Sequence, residues 1–592
     1  MNTLPNIMLR LWHHLSRRRQ RQFGLLVCLM LLSAFAEVIS LGIVLPFLGV
    51  LVAPDRVFNH PIVADVTQAL GITSADQLVL PLTVAFVVAA LVAGAIRMLL
   101  LWFGTRLAFV TGADLGIEVY RRTLYQPYRV HMARNSSEVI TGITSKVGGA
   151  VNVMYQLLTL ASSTILLVAI MLALLAIDPM VASVVAVGFG ASYALITWIS
   201  RRRLRRNSKH IAYEQTQVVK ALQEGLGGIR DVLLDGSQPV YCDIYRQAYH
   251  PLQQALGSNI FIGGSPRYIM EALGMVLIAV LAYTLSGQDG GIATALPLLG
   301  ALALGAQRLL PALQVIYSAW ASITGTYASL VDSLELLDQP LPVDILQNSP
   351  APLLFQKDIQ FRGVRFRYTD DSPWVLDGLN LIISKGARVG FVGSTGSGKS
   401  TTLDLLMGLL LPSEGELLVD DQPFSGNRLR IAHVPQSIYL ADTTLAENIA
   451  FGVPRNAIDM DRIRQAAYQA QIAEFIESRP EGYNAFVGER GIRLSGGQRQ
   501  RIGIARALYK QASVLVFDEA TSALDNATEQ SVMDAIEGLS SDLTILLIAH
   551  RLTTVQRCDT IVELEHGRVV AQGTYEQLLE CSPSFRRMSK AI

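Results

Sequence analysis

Charge is scarce in this chain. Asp, Glu, Lys and Arg make up 16% of its 592 residues, against about 25% in ordinary soluble domains. The charges nearly cancel, to a formal +1, which excludes the bulk basic surface of a nucleic-acid binder. Cysteine is scarce too. Cys28, Cys242, Cys558 and Cys581 are scattered with no C-x-x-C pair, so neither a disulfide framework nor a zinc site is expected. Apolar residues are plentiful, at 51%. That share points to a membrane protein, and the length is too great for one compact domain.

The apolar residues are unevenly placed. Before about residue 320 they form long runs, and after about 355 the chain reads as a soluble α/β domain. Pro340, Pro342, Pro350 and Pro352 mark a linker between the two. The division expected is a transmembrane domain over 1–330, a linker over 331–357 and a nucleotide-binding domain over 358–592. A bilayer core takes about 20 apolar residues per helix. Six stretches suffice: Phe23–Val52, Leu78–Phe103, Leu157–Ile177, Met180–Ile199, Tyr268–Leu285 and Ile292–Leu310.

Arg17, Arg18, Arg19 and Arg21 precede the first stretch, Arg121, Arg122, Arg129 and Arg134 follow the second, and Arg201–Arg203 with Arg205 and Arg206 follow the fourth. The positive-inside rule then puts the N-terminus, both long loops and the C-terminal domain in the cytoplasm. An even number of spans returns the chain to the same side. Ala34-Phe35-Ala36 imitates a signal-peptide cleavage site. The apolar run continues past it, and cleavage would leave an odd number of spans, so the segment is expected to be retained. The loops near Arg106–Asn152 and Ser200–Pro266 are too long for turns and are expected to continue the spans as helices. Between the first two spans, Pro61 to Leu70 has helix-compatible spacing on the external side.

Gly393-Ser394-Thr395-Gly396-Ser397-Gly398-Lys399-Ser400 fits G-x-x-x-x-G-K-[ST] without a mismatch. An apolar strand, Val389 to Val392, precedes it, and a helix-compatible stretch from Thr401 follows. Glycines let backbone N–H groups converge on phosphate oxygens, and the helix dipole aims at the same anion. Residues 393–401 are thus the expected cradle for ATP, with Lys399 reaching the β- and γ-phosphates and the Ser400 hydroxyl on Mg²⁺. Downstream, the apolar run from Val514 ends in Asp518-Glu519. A carboxylate at a buried strand end suits Mg²⁺, so Asp518 is the expected ligand and Glu519 the general base for the attacking water.

Leu494-Ser495-Gly496-Gly497-Gln498 resembles the signature of the ATP-binding cassette (ABC) family. Val434-Pro435-Gln436, Ser522-Ala523-Leu524-Asp525, Gly488-Glu489-Arg490-Gly491 and His550 after the strand Thr544–Ile548 resemble that family's other motifs, end to end. The resemblance implies an ABC nucleotide-binding domain behind six helices, the layout of an exporter half-transporter. It implies that Tyr368 stacks on adenine, that Gln436 joins the metal site, and that His550 acts with Glu519 and Lys399 in hydrolysis. It also implies that Ser495, Gly496, Gly497 and Gln498 bind the nucleotide of a second chain. One signature and one phosphate loop per chain call for a dimer, and the intact motifs favour a homodimer.

Glu37, Arg97, Arg267, Glu271 and Arg308 fall in or beside the apolar stretches, where charge is costly and faces a cavity or a partner. Arg267 and Glu271 are spaced for an ion pair. Arg97 and Arg308 have no acid one turn away, and Arg suits bidentate phosphate recognition. The membrane half is similar to the lipid-linked oligosaccharide flippases of the ABC family at Ala36–Gly42 with Pro46, and at Pro266-Arg267-Tyr268 with Glu271. That resemblance implies an anionic polyprenyl-pyrophosphate glycan as substrate, met by Arg97, Arg267 and Arg308, in a bacterial inner membrane. Lipid A, peptide and multidrug exporters share the plan. An ATP-gated channel or regulatory subunit is the alternative of another class.

Overall fold

The computed structural model describes residues 4–52, 75–177, 179–286, 291–341, 355–424, 429–518, 538, 542–548 and 552–590. They divide into two compact units, one of residues 1–126 and 134–342, the other of 127–133 and 343–592.

The first unit is helical. Its elements are α1 (Leu4–His14), α2 (Arg17–Val52), α3 (Val79–Leu124), α5 (Ser136–Thr141), α6 (Val147–Ile177), α7 (Pro179–Gly227), α8 (Ile229–Leu234), α9 (Gln238–Ser286) and α10 (Gly291–Leu337); α4 (Tyr128–Ala133) groups with the second unit. A π-helical turn, Gly142–Lys146, leads into α6. Three helical stretches among the described residues are long and apolar enough to cross a membrane: Arg17–Ser40, Val79–Leu124 and Ser136–Ala176. The last three expected spans fall on α7, α9 and α10, partly outside the described side chains, and the external segment Pro61–Leu70 lies outside the described residues.

The long polar loops are helical continuations, as their composition suggested. At 1.5 Å per residue, the 46 residues of α3 reach roughly 70 Å, over twice the ~30 Å of a bilayer core. The last helix also continues to Leu337, into the stretch read as linker.

Outside the apolar stretches, α1, α3, α6 and α10 share a core that includes Ile7, Val119, Val153, Leu330 and Leu334, each fully buried. The C-terminal end of α10 is fastened there. Arg122 Nη1 donates to Leu337 O (2.5 Å) and Gln339 O (3.1 Å), and Asp338 pairs with Arg10 and with His14 (2.7 Å). At the same core, a small residue lets two helices approach closely. A Cβ at Gly112 of α3 would lie 2.2 Å from Val151 Cγ2 of α6.

The second unit has two sheets. One is antiparallel, β2-β1-β4-β5, from β1 (Asp358–Phe366), β2 (Leu376–Ser384), β4 (Glu414–Val419) and β5 (Gln422–Pro423). The other runs β10-β9-β3-β8-β7-β6, from β3 (Arg388–Val392), β6 (Ile431–Val434), β7 (Val514–Asp518), β8 (Thr544–Ile548), β9 (Thr560–Glu565) and β10 (Arg568–Gly573). All its pairings are parallel except β9 with β10. Its central strands are apolar along their length because both faces are covered. Leu515 and Phe517 face one core, Val514 and Val516 the other.

Gly112→Val should wedge α3 from α6 and lower stability by about 1–3 kcal/mol. Adding Val151→Ala should recover most of it, as thermal unfolding of the detergent-solubilised chain would show. Additive losses would mean that the two residues are not in contact.

Candidate functional site: the phosphate loop and the strand ends around it

The sheet brings distant motifs to one edge. Phe391 of β3 pairs with Ile548 of β8, which pairs with Asp518 of β7, and Phe517 pairs with Val434 of β6. So β3, β6, β7 and β8 stop at nearly one level, at their C-terminal ends, where parallel α/β sheets bind ligands. The phosphate loop leaves β3 there, and Pro435-Gln436 leaves β6. Glu519, His550 and the segment Ser522–Asp525 lie outside the described residues.

The loop closes onto α11 (Lys399–Leu406) through Gly398 at φ 100°. A side chain at Gly393 (φ 145°) is barred, because its Cβ would lie 2.2 Å from Leu564 O. Lys399 is 6% exposed, and its Nζ donates to Gly393 O (2.8 Å) and Ser394 O (2.9 Å). The ammonium is thus pinned over the concavity by the loop's own carbonyls, a glycine-shaped cradle that fits a polyphosphate. Ser394, Thr395, Gly396 and Ser400 are exposed along the loop, and Ser397 is buried beneath it. Thr401 shares a hydrogen bond with the Tyr368 hydroxyl (3.2 Å). Phe366 meets the Tyr368 ring edge-on, at 5.1 Å between centroids. Both contacts fix the aromatic platform against the phosphate loop.

One acid beside the loop escaped the sequence reading. Asp404 lies on α11, and burial together with the charge of Asp518 pushes its carboxyl up to about 6. Two carboxylates that repel each other beside the cradle fit a divalent cation, for which Ser400, Gln436 and Asp518 would be the oxygen donors. When bound, Mg²⁺ would screen the phosphate charge. The signal for Asp404 was faint: one acid in an apolar helix, four residues after the loop's last serine.

The signature forms the start of a separate helix, α15, after α12 (Leu445–Ile449), α13 (Met460–Gln469) and α14 (Ala473–Glu477). Helix α15 spans Gly496–Tyr509, capped by Ser495. Ser495 Oγ accepts from the Gln498 amide (3.3 Å), and Gln498 Oε1 accepts from the Ser495 amide (2.9 Å). This capping box holds the helix start, whose Gly496 leaves open space above it. The helix is braced to the segment after Gln436. Arg506 donates to Asn448 O and Tyr439 O, each at 3.0 Å, and a Cβ at Gly503 would strike Ile438 at 2.3 Å.

In the membrane unit, Arg267 pairs with Glu271 at 2.8 Å, as the spacing predicts. The expectation for Arg97 needs correction. It has no acid one turn away on its own helix, but its guanidinium pairs with Glu37 across α2 and α3. Glu37 is 5% exposed, and such a carboxylate needs a cation beside it. The Arg308 side chain lies outside the described residues. Among the described residues, Cys558 is buried with its thiol pushed up to about 12 by that burial, while the other cysteines are exposed.

A helical unit with spans long and apolar enough to cross a membrane, joined to a phosphate-loop domain, fits a membrane-bound nucleoside triphosphatase. Residues 376–522 match the ABC transporter family. The ATP-dependent lipid A-core flippase of Cupriavidus metallidurans is 31% identical over 471 residues, 78% of this chain and 79% of that protein. The heterocyst differentiation ATP-binding protein HepA of Nostoc is 30% identical over 93% of this chain and 90% of its own. A solved bacterial Atm1-family ABC exporter with ATP bound superposes at a TM-score of 0.76, with 27% identity, over 97% of this chain and 98% of that one. The chain belongs to the ABC transporter family. It is a membrane exporter of half-transporter form that couples ATP hydrolysis to transport.

The Asp404 carboxylate destabilises the nucleotide-free domain. Below about pH 4 it is protonated folded and unfolded alike. As pH rises from about 4 to 6, the unfolded chain releases its proton first, so stability falls and stays lower above pH 6. Asp404→Asn should therefore raise stability above pH 6 by about 1 kcal/mol after solvent screening, with no gain near pH 4. Thermal melts of the nucleotide-free full chain across that range provide the check.

Proposed function

We propose that this exporter flips a phosphorylated glycolipid across the bacterial inner membrane, working as a homodimer with Mg²⁺·ATP. In this reading six spans carry the chain across, and the N-terminus and nucleotide-binding domain (358–592) face the cytoplasm. The observation that carries the substrate class is a polar cavity of about 330 Å³ in the helical unit. Gln156 and Thr159 of α6, Arg267 and Tyr268 of α9, and Gln314 and Ser318 of α10 line it. A guanidinium beside amide and hydroxyl groups in a lipid-embedded unit suits a phosphate joined to sugar. The relatives named lipid A-core flippase support a lipid of this kind. The residues shared with lipid-linked oligosaccharide flippases support a polyprenyl-pyrophosphate glycan, and both substrates present phosphate on sugar. Arg267 and Arg308 are the proposed contacts, whereas Arg97 holds Glu37.

The homodimer rests on one phosphate loop and one Ser495-capped signature helix per chain, with both motifs intact. In each composite site Lys399 of one chain holds the phosphates and Ser495 to Gln498 of the other closes on them. Glu519 takes the proton of the attacking water, with Gln436 and His550 orienting it.

Mixing Lys399→Ala chains with Ser495→Arg chains leaves one intact site in each mixed dimer. Hydrolysis should return to a substantial fraction of wild type on mixing, although neither variant hydrolyses alone. No recovery in a purified mixed dimer would exclude the shared site.

In proteoliposomes, lipid A-core and a polyprenyl-pyrophosphate glycan should be compared, each with and without its phosphates. Arg267→Ala and Arg308→Ala should each slow flipping of the phosphorylated lipid about 10- to 100-fold, the value of a charge-assisted hydrogen bond of about 1.5–3 kcal/mol. Flipping of the dephosphorylated form should change little. Equal losses on both forms would refute phosphate recognition, and the preferred phosphorylated lipid names the glycan class.

A further inference from the structure

A second cavity, of about 630 Å³, opens between α2 and α3, well apart in sequence from the residues of the polar cavity. Its walls divide by chemistry. Arg18, Arg19 and Arg106 supply three guanidinium groups, while Leu25, Leu29 and Trp102 supply an apolar flank. The two helices run antiparallel here, with Leu26 against Gly104 (4.0 Å) and Arg19 paired to Asp114 (2.8 Å). Arg18 and Arg19 therefore sit at the polar end of the groove, and Arg106 lies on its bilayer side, over the Trp102 ring at 5.1 Å.

Both helices are among those apolar enough to span a membrane. A Trp and a cluster of Arg at a span's end mark the headgroup level. Leu25 is 70% exposed and Trp102 51%, so the apolar flank is open. Arg19 has an acidic partner. Among the described residues, Arg18 and Arg106 pair with no carboxylate.

We propose that this groove binds an anionic glycerophospholipid of the cytoplasmic leaflet. Its phosphodiester sits between Arg106 and Arg18, and its acyl chains lie along Leu25, Leu29 and Trp102. Charge complementarity selects the occupant. Two unpaired guanidinium groups near the hydrocarbon favour a net negative headgroup over a zwitterion, whose own ammonium would meet them. The acyl chains then pack along exposed apolar side chains on the bilayer side. The lipid at this site is a resident ligand, not cargo, and the inference does not depend on which substrate is flipped.

The test uses the full chain in detergent with brominated lipids. Quenching of Trp102 is read as the difference between wild type and Trp102→Phe. Brominated phosphatidylglycerol should quench at roughly tenfold lower mole fraction than brominated phosphatidylcholine. Arg18→Gln with Arg106→Gln should abolish that preference, and Arg18→Lys with Arg106→Lys should retain part of it. Soluble glycerol 3-phosphate should not compete. Equal quenching by both lipids in wild type would overturn the proposal, as would a preference that survives the double Gln variant. Effective competition by glycerol 3-phosphate would show a free-anion site instead. If the Gln pair fails to fold, native mass spectrometry of wild type decides. Retention of phosphatidylglycerol no greater than that of phosphatidylcholine refutes the site.

Discussion

Everything at the nucleotide end depends on strands of one parallel sheet stopping together. The register that pairs Phe391 with Ile548, and Ile548 with Asp518, sets the phosphate loop, the acidic strand end and the segment before His550 at one height. That register is a consequence of burial. Strands covered on both faces by apolar cores cannot slip by one residue without exchanging their two faces, and Val514 to Phe517 face both cores in alternation. Polar chemistry is left for the ends of the strands, where the backbone leaves the sheet.

The membrane unit obeys a different constraint, that of placing charge where water is excluded. It does so by pairing. Glu37 meets Arg97 across two helices and Glu271 meets Arg267 one turn away. Arg267 alone among these also lines the polar cavity, so one side chain serves both pairing and lining. A cavity whose charge is already half-compensated can exchange partners when a ligand arrives, which costs less than exposing a bare cation.

The parts legible in the sequence were those carried by contiguous residues. Gly393 to Ser400 and Leu494 to Gln498 announce a loop and a helix start because local backbone geometry requires those residue types, and the long helices follow from composition. The parts that escaped depend on residues brought together by folding. Asp404 matters because Asp518, over a hundred positions later, charges the same site. Arg506 is a plain helical arginine until Tyr439 and Asn448 supply its acceptors. Arg97 looked unpaired because its partner is sixty residues away, on another helix. Pairing by spacing found Arg267–Glu271 and could find nothing that crosses between helices.

The fastening of α10 gives the unit a mechanical linkage. Its end at Leu337 and Asp338 is tied to Arg122 of α3 and to Arg10 and His14 of α1. Helix α1 turns Ile7 and Leu11 inward and leaves Leu9 and Trp12 exposed, the pattern of a helix lying along a bilayer surface. Displacement of the end of α10 would therefore pull on α1 or break both contacts of Asp338. A helix whose exposed apolar side chains suit a bilayer surface would then feel any displacement of the end of α10.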